Sequence, residues 1–136
     1  MKPLEQDASE FHRKARVLIV EDEALIAYTL EELLVEFGFE IAGVAGRLEV
    51  ALDMIAMAVC DVAILDANLA GVSSAPAAAA LTKLGTPFVV VSGYSAAQQQ
   101  DLAFGDAPRL QKPCDIERLV ESLRAVLTHH RASLLQ

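Results

Sequence analysis

Three short apolar runs and one shorter segment punctuate this chain, and each closes on a polar group. Arg16-Val17-Leu18-Ile19-Val20 ends in Glu21-Asp22-Glu23, and Asp61-Val62-Ala63-Ile64-Leu65 ends in Asp66, followed by Ala67-Asn68-Leu69. Phe88-Val89-Val90-Val91 ends in Ser92-Gly93, and Arg109-Leu110-Gln111 ends in Lys112-Pro113. Runs this short and continuously apolar suit strands buried on both faces of a parallel sheet. Strands that lie parallel share an edge at their carboxyl ends, which is where open α/β sheets bind ligands. Three carboxylates gathered there repel one another unless a divalent cation sits between them. A lysine and a hydroxyl beside them complete what an aspartyl-phosphate site needs.

The segments between these runs carry helical periodicity. Residues 16–21 read as the first strand. Leu25, Ile26, Leu30, Leu33, Leu34 and Phe37 then recur at helical spacing up to Gly38, a C-terminal cap. Residues 39–45 form the second strand, 48–58 a helix, 61–65 the third strand and 74–84 an Ala-rich helix with Pro76 in its first turn. Residues 88–91 are the fourth strand and 109–111 a fifth. Asp115 caps a final helix whose buried stripe is Ile116, Leu119, Val120, Leu123 and Leu127. The fold class is therefore α/β, a doubly wound five-stranded parallel sheet.

At 136 residues the chain makes one domain of ordinary size, and its 54% hydrophobic content excludes disorder. The expected organisation is an extension over 1–15, a folded domain over 16–130 and a tail over 131–136 that frays beyond His130. A formal charge of −8 argues against a nucleic-acid partner. No apolar stretch has the length of a membrane span, and the polar N-terminus lacks a signal-peptide core, so a cytoplasmic location without membrane contact is expected. Cys60 and Cys114 lack metal-ligand spacing and read as reduced structural cysteines. His129 and His130 are adjacent on a helix and point apart, which disfavours a metal site.

Glu21-Asp22-Glu23, Asp66-Ala67-Asn68-Leu69, Ser92-Gly93 and Lys112-Pro113, in that order at strand ends, resemble the receiver domain of bacterial two-component response regulators. The resemblance runs from about Val17 to Leu127. Pro87 to Tyr94 is also similar to variant receivers with a PFxFATGY pattern, many of them single-domain proteins. The resemblance implies a flavodoxin-like receiver fold with strand order 2-1-3-4-5. It makes Asp66 the phosphorylation site, whose carboxylate attacks phosphorus and becomes an acyl phosphate. Mg²⁺ would be held by Asp22, Asp66 and the backbone carbonyl of Asn68, with Glu21 acting through a bound water. Ser92 would be the switch hydroxyl, Gly93 would leave room beside the phosphoryl group, and Lys112 would pair with Asp66 at rest and with phosphoryl oxygens afterwards. The Lys112–Pro113 bond is expected to be cis.

Each residue also has a plainer reading. Asp66 alone is a strand-end aspartate that caps a turn, Glu21 to Glu23 are acids at a helix start, Ser92-Gly93 is a turn, and Lys112 is a solvated lysine. Their joint occurrence favours the site.

Three departures from the family pattern alter expectations. Arg109 stands three positions before the lysine, where many receivers carry a switch aromatic, and Tyr94 is the candidate substitute. The loop Asn68-Leu69-Ala70-Gly71 lacks the usual proline, and the helix over 95–107 looks degraded. The expected function is a stand-alone phosphoacceptor, not a turnover enzyme. It would be charged by a histidine kinase or histidine phosphotransfer protein and would signal to an unknown downstream protein, with homodimerisation left open. The alternative is an interaction module on the same fold that does not depend on phosphate.

Overall fold

The computed structural model describes residues 13–93 and 101–134. Strand β1 (Arg16–Val20) has its last four residues buried and lies inside a five-stranded sheet. The others are β2 (Glu40–Ala45), β3 (Val62–Asp66), β4 (Phe88–Ser92) and β5 (Arg109–Gln111). Their order is β2-β1-β3-β4-β5, and every pairing is parallel. The sheet is therefore the flavodoxin-like one expected. Its connections reverse direction between β1 and β3, and a crevice opens there at the carboxyl ends.

Alternation along the buried strands divides the core in two. Leu18, Val20, Ala63, Leu65 and Val90 face helices α2 (Leu48–Ala56) and α3 (Ala75–Leu84), meeting Ala51, Ile55, Ala77, Ala78 and Leu81. Val17, Ile19, Val62, Ile64, Val89 and Val91 face the other way, onto α1 (Ala24–Glu36) and α4 (Ile116–Leu134). Each fully buried aliphatic chain contributes roughly 1.5–3 kcal/mol, so neither face could be left bare. The alanine run of α3 is a packing feature, since Ala77 and Ala78 are completely buried. With α1 and α4 on one face, their N-terminal ends flank the carboxyl edge of the sheet.

Local signals explain most boundaries. Gly38 takes a φ of +99° just past α1, a conformation that glycine adopts without a Cβ penalty. Asp115 caps α4, its Oδ1 accepting the Glu117 N–H at 3.3 Å. Helix α2 stops at Ala56, short of the expected Ala58, which itself sits at a φ of +53°. Helix α4 continues to Leu134, past the fraying expected beyond His130.

Between β3 and α3 the chain makes a feature that no periodicity in the sequence marks. Asn68–Leu69 and Val72–Ser73 pair antiparallel as a small ribbon. Its two turn residues, Ala70 and Gly71, have φ of +54° and +94°, the mirror-image turn that matches strand twist. Ala70 in that conformation costs on the order of 1 kcal/mol, because its Cβ crowds the following carbonyl. Between β4 and β5 the described residues hold a single 3₁₀ turn, Leu102–Phe104, within the 95–107 stretch whose helix looks degraded in sequence. Residues 94–100, including Tyr94, lie outside the described residues, as do 1–12.

Candidate functional site

Glu21 follows β1, Asp66 ends β3, Ser92 ends β4 and Lys112 follows β5, so the parallel pairing brings all four to one edge. Val91 is the register partner of Asp66, and the next residue, Ser92, accepts the Lys112 N–H on its carbonyl at 2.8 Å. That backbone bond extends the β4–β5 ladder to Lys112. The Lys112–Pro113 bond is cis.

Lys112 Nζ lies 2.9 Å from Asp66 Oδ2 and 3.1 Å from Glu21 Oε1. Carboxylate oxygens of Glu21, Asp22 and Asp66 lie within 4.8 Å of one another. Three carboxylates against one ammonium leave a formal charge of −2 in a site where Glu21 and Asp66 are only 4% and 5% exposed. Burial pushes the Glu21 carboxyl above its ordinary value, and the Asp66 charge adds to this, against the Glu23 N–H and Lys112. For Lys112 burial works downward, but its bonds to Asp66 and Glu21 outweigh it and hold the ammonium above its usual value. The lysine is therefore charged at neutral pH.

Hard oxygen donors clustered at this spacing suit Mg²⁺, which takes carboxylates and keeps several waters. Among the described residues this is the one cluster of three or more His, Cys, Asp or Glu side chains able to hold a metal ion, and His129 and His130 belong to no such group.

The other expected residues fall around this centre with varied contacts. Asn68 N–H donates to Asp66 Oδ1 at 3.1 Å, while its side-chain Oδ1 accepts the Gly71 N–H at 2.6 Å. Gly93 borders the same cleft as Asp66 and Lys112, and a Cβ built on it would meet nothing within 4 Å. Its smallness is thus not required by protein packing at rest. Arg109, in place of an aromatic, holds its guanidinium 5.8 Å from the centroid of the buried Phe104 ring and donates to the Gly105 carbonyl at 3.2 Å. The candidate switch residue Tyr94 lies outside the described residues.

Two elements of the site go beyond the sequence expectations. Glu21 is engaged at both oxygens, by Lys112 and by the Glu23 N–H at 3.0 Å. A cleft of about 620 Å³ also runs from Asp66 between α1 and α4, lined by Leu25, Ile26, Leu30, Leu33, Ile116 and Leu119. The signal for it was a surplus: α1 carries more apolar residues than its fully buried pair, Ala27 and Leu34, and Leu25 is 77% exposed. A larger cleft, about 900 Å³, lies by the amino end of β4 and includes none of Glu21, Asp22 and Asp66. Cys60 and Cys114 are both free, and burial raises each thiol above its ordinary value, which keeps them protonated.

The model of the response regulator receiver domain family matches residues 17–124, which contain every element of the site. The chain belongs to that family. Over 122 residues it is 34% identical to the transcriptional regulatory protein PdtaR of Mycobacterium tuberculosis, covering 85% of this chain and 58% of the relative. The chain thus spans little more than half the length of the curated relatives it matches. The solution structure of SdrG from Sphingomonas melonis Fr1 is 38% identical with a TM-score of 0.72, covering 85% of this chain and 98% of that one. A CheY-like receiver from Methanospirillum hungatei JF-1 shares the fold, with a TM-score of 0.78 at 23% identity over 88% and 98% of the two chains. Receiver domains are signalling domains that in general take a phosphoryl group from histidine kinases or phosphotransfer proteins and bind Mg²⁺ at an acidic pocket. Among the described residues no helix is long and apolar enough to cross a membrane.

Proposed function

We propose that this receiver accepts a phosphoryl group on Asp66 from a phosphohistidine and signals through the surface change that follows. The observation that carries this reading is the convergence of Lys112 and two further carboxylates on Asp66. An Asp66 oxygen attacks phosphorus, the P–N bond breaks, and the imidazole leaves with the bonding pair. Lys112 holds Asp66 before the transfer and offsets the negative charge gathering on the phosphoryl oxygens during it. Mg²⁺, held by Asp22, Asp66 and the Asn68 carbonyl, would supply further neutralisation and orient the transferred group. Glu21 anchors Lys112 as well as joining the acidic set. Ser92 would donate its hydroxyl to a phosphoryl oxygen, with Gly93 leaving space.

The apolar cleft between α1 and α4 ends at Asp66 and suits a helical donor that presents its histidine from an apolar face. Phosphorylation adds up to about two negative charges at the carboxyl edge, enough to change the surface a partner meets. Downstream contacts with another protein, in a cytoplasmic setting, complete the reading.

Incubation with Mg²⁺ and a small acyl-phosphate donor, followed by intact-mass measurement, tests it. One added phosphoryl group is expected in the parent protein, and none in Asp66→Asn or after chelation. No gain in the parent would favour an interaction module indifferent to phosphate. Rapid donor turnover without accumulation would point to a hydrolase.

A further inference from the structure

The ribbon after Asp66 offers an inference that rests on the proposed function and reaches beyond it. Ala67 N–H donates to Val91 O at 2.9 Å, and Ala67 O accepts the Ser74 N–H at 3.0 Å. These bonds fix the base of the ribbon. Leu69, 3% exposed, pins one of its faces in the core. The tip is less secure, because its turn demands positive φ at Ala70, a residue that disfavours it. Asn68 supplies the compensation: its Oδ1 takes the Gly71 N–H at 2.6 Å, across the turn. The same residue's N–H caps Asp66 Oδ1 at 3.1 Å. One asparagine therefore joins the turn to the acceptor carboxylate, with its side chain directed to the turn and its backbone to the site.

We infer that the Asn68 side chain is a positioning group. By locking the Ala70-Gly71 turn, it holds the Asn68 peptide groups where one can donate to Asp66 and the other can serve a divalent cation. Loss of the lock would leave the fold intact, since the ribbon base and Leu69 remain. It would loosen the peptide that borders the metal site.

The test compares Asn68→Ala, Ala70→Gly and the double variant by Mg²⁺ titration and amide hydrogen exchange, with no phosphoryl donor present. Asn68→Ala is expected to weaken Mg²⁺ binding roughly tenfold, the low end for loss of a group that orients a ligand, and to speed exchange of the residue-68 amide. Ala70→Gly removes the backbone penalty without touching the site, so in the double variant it should restore slow exchange and much of the affinity. Phosphorylation of Asn68→Ala from the small donor should be slow at low Mg²⁺ and approach the parent rate at saturation. Unchanged affinity and exchange in Asn68→Ala would overturn the inference. So would a loss that Ala70→Gly cannot rescue, which would mean the side chain acts directly at the site. Failure of the parent itself to gain a phosphoryl group would count against the proposed function alone, because exchange at residue 68 reports the lock independently.

Discussion

The two edges of the sheet carry the same kinds of charged residue in opposite arrangements. At the amino edge Arg13 pairs with Asp61 and Arg16 with Glu40, each at 2.9 Å and open to solvent, and Asp61 also takes the Arg16 backbone N–H at 2.8 Å. There each acid has its own arginine. At the carboxyl edge Glu21 and Asp66, both buried, share Lys112, and Asp22 adds a third carboxylate to the cluster. Solvent-screened, balanced pairs contribute little, whereas an unbalanced buried cluster is held by the fold around it and is relieved by a cation. The first arrangement decorates a sheet. The second is poised for chemistry.

Removing the shared lysine should break the contrast most severely. Lys112→Ala is expected to slow phosphorylation from a small donor about a hundredfold, the scale for losing one group that stabilises developing charge. A rate within a few-fold of the parent, measured by quenched intact mass, would strip Lys112 of its role. Next in size, Mg²⁺ at about a hundred times its dissociation constant should stabilise the parent by roughly 2.7 kcal/mol in a melt, and Asp22→Asn far less. Equal shifts in both proteins would place the ion elsewhere.

Glu21 gives a subtler, pH-dependent difference. Its pKa is raised in the folded state, so between the ordinary glutamate value of 4.5 and that raised value the native protein binds more protons than the unfolded chain. Stability without Mg²⁺ should therefore fall as pH rises through this window. Subtracting the Glu21→Gln profile from the parent's isolates that slope, and a difference curve rising with pH would contradict it. At the other edge Arg13→Ala should leave both the melt and the phosphorylation rate unchanged. A sizeable loss of either would erase the distinction between the edges.

The strands, their parallel sense and the residues that converge were legible because each run ends in a functional group, and parallel strands bring their ends together; the strand order followed from the resemblance to receiver domains. What stayed hidden depended on neighbours across the sheet. Glu21 meets Lys112 only once β1 and β5 are placed by the strands between them, and nothing near Glu21 in sequence announces it. The ribbon after Asp66 has two-residue strands and an Ala-Gly turn in place of the usual Asn-Gly signal, so neither period nor turn chemistry marked it. In sequence Arg109 registers only as the absence of an aromatic. Its actual contact, the Phe104 ring, comes from a 3₁₀ turn too short to leave a periodic pattern. The cleft beside α1 was visible only as an excess of leucine and isoleucine on a helix that buries few of them.

Chemical trapping tests the identity of the acceptor most directly. After phosphorylation in Mg²⁺, borohydride reduction converts an aspartyl phosphate to homoserine, which peptide mass mapping can place on the chain. Homoserine at position 66 and at no other carboxylate is the expected result. Reduction at Asp22, or a phosphorylated protein whose modification resists borohydride, would contradict Asp66 as the acceptor.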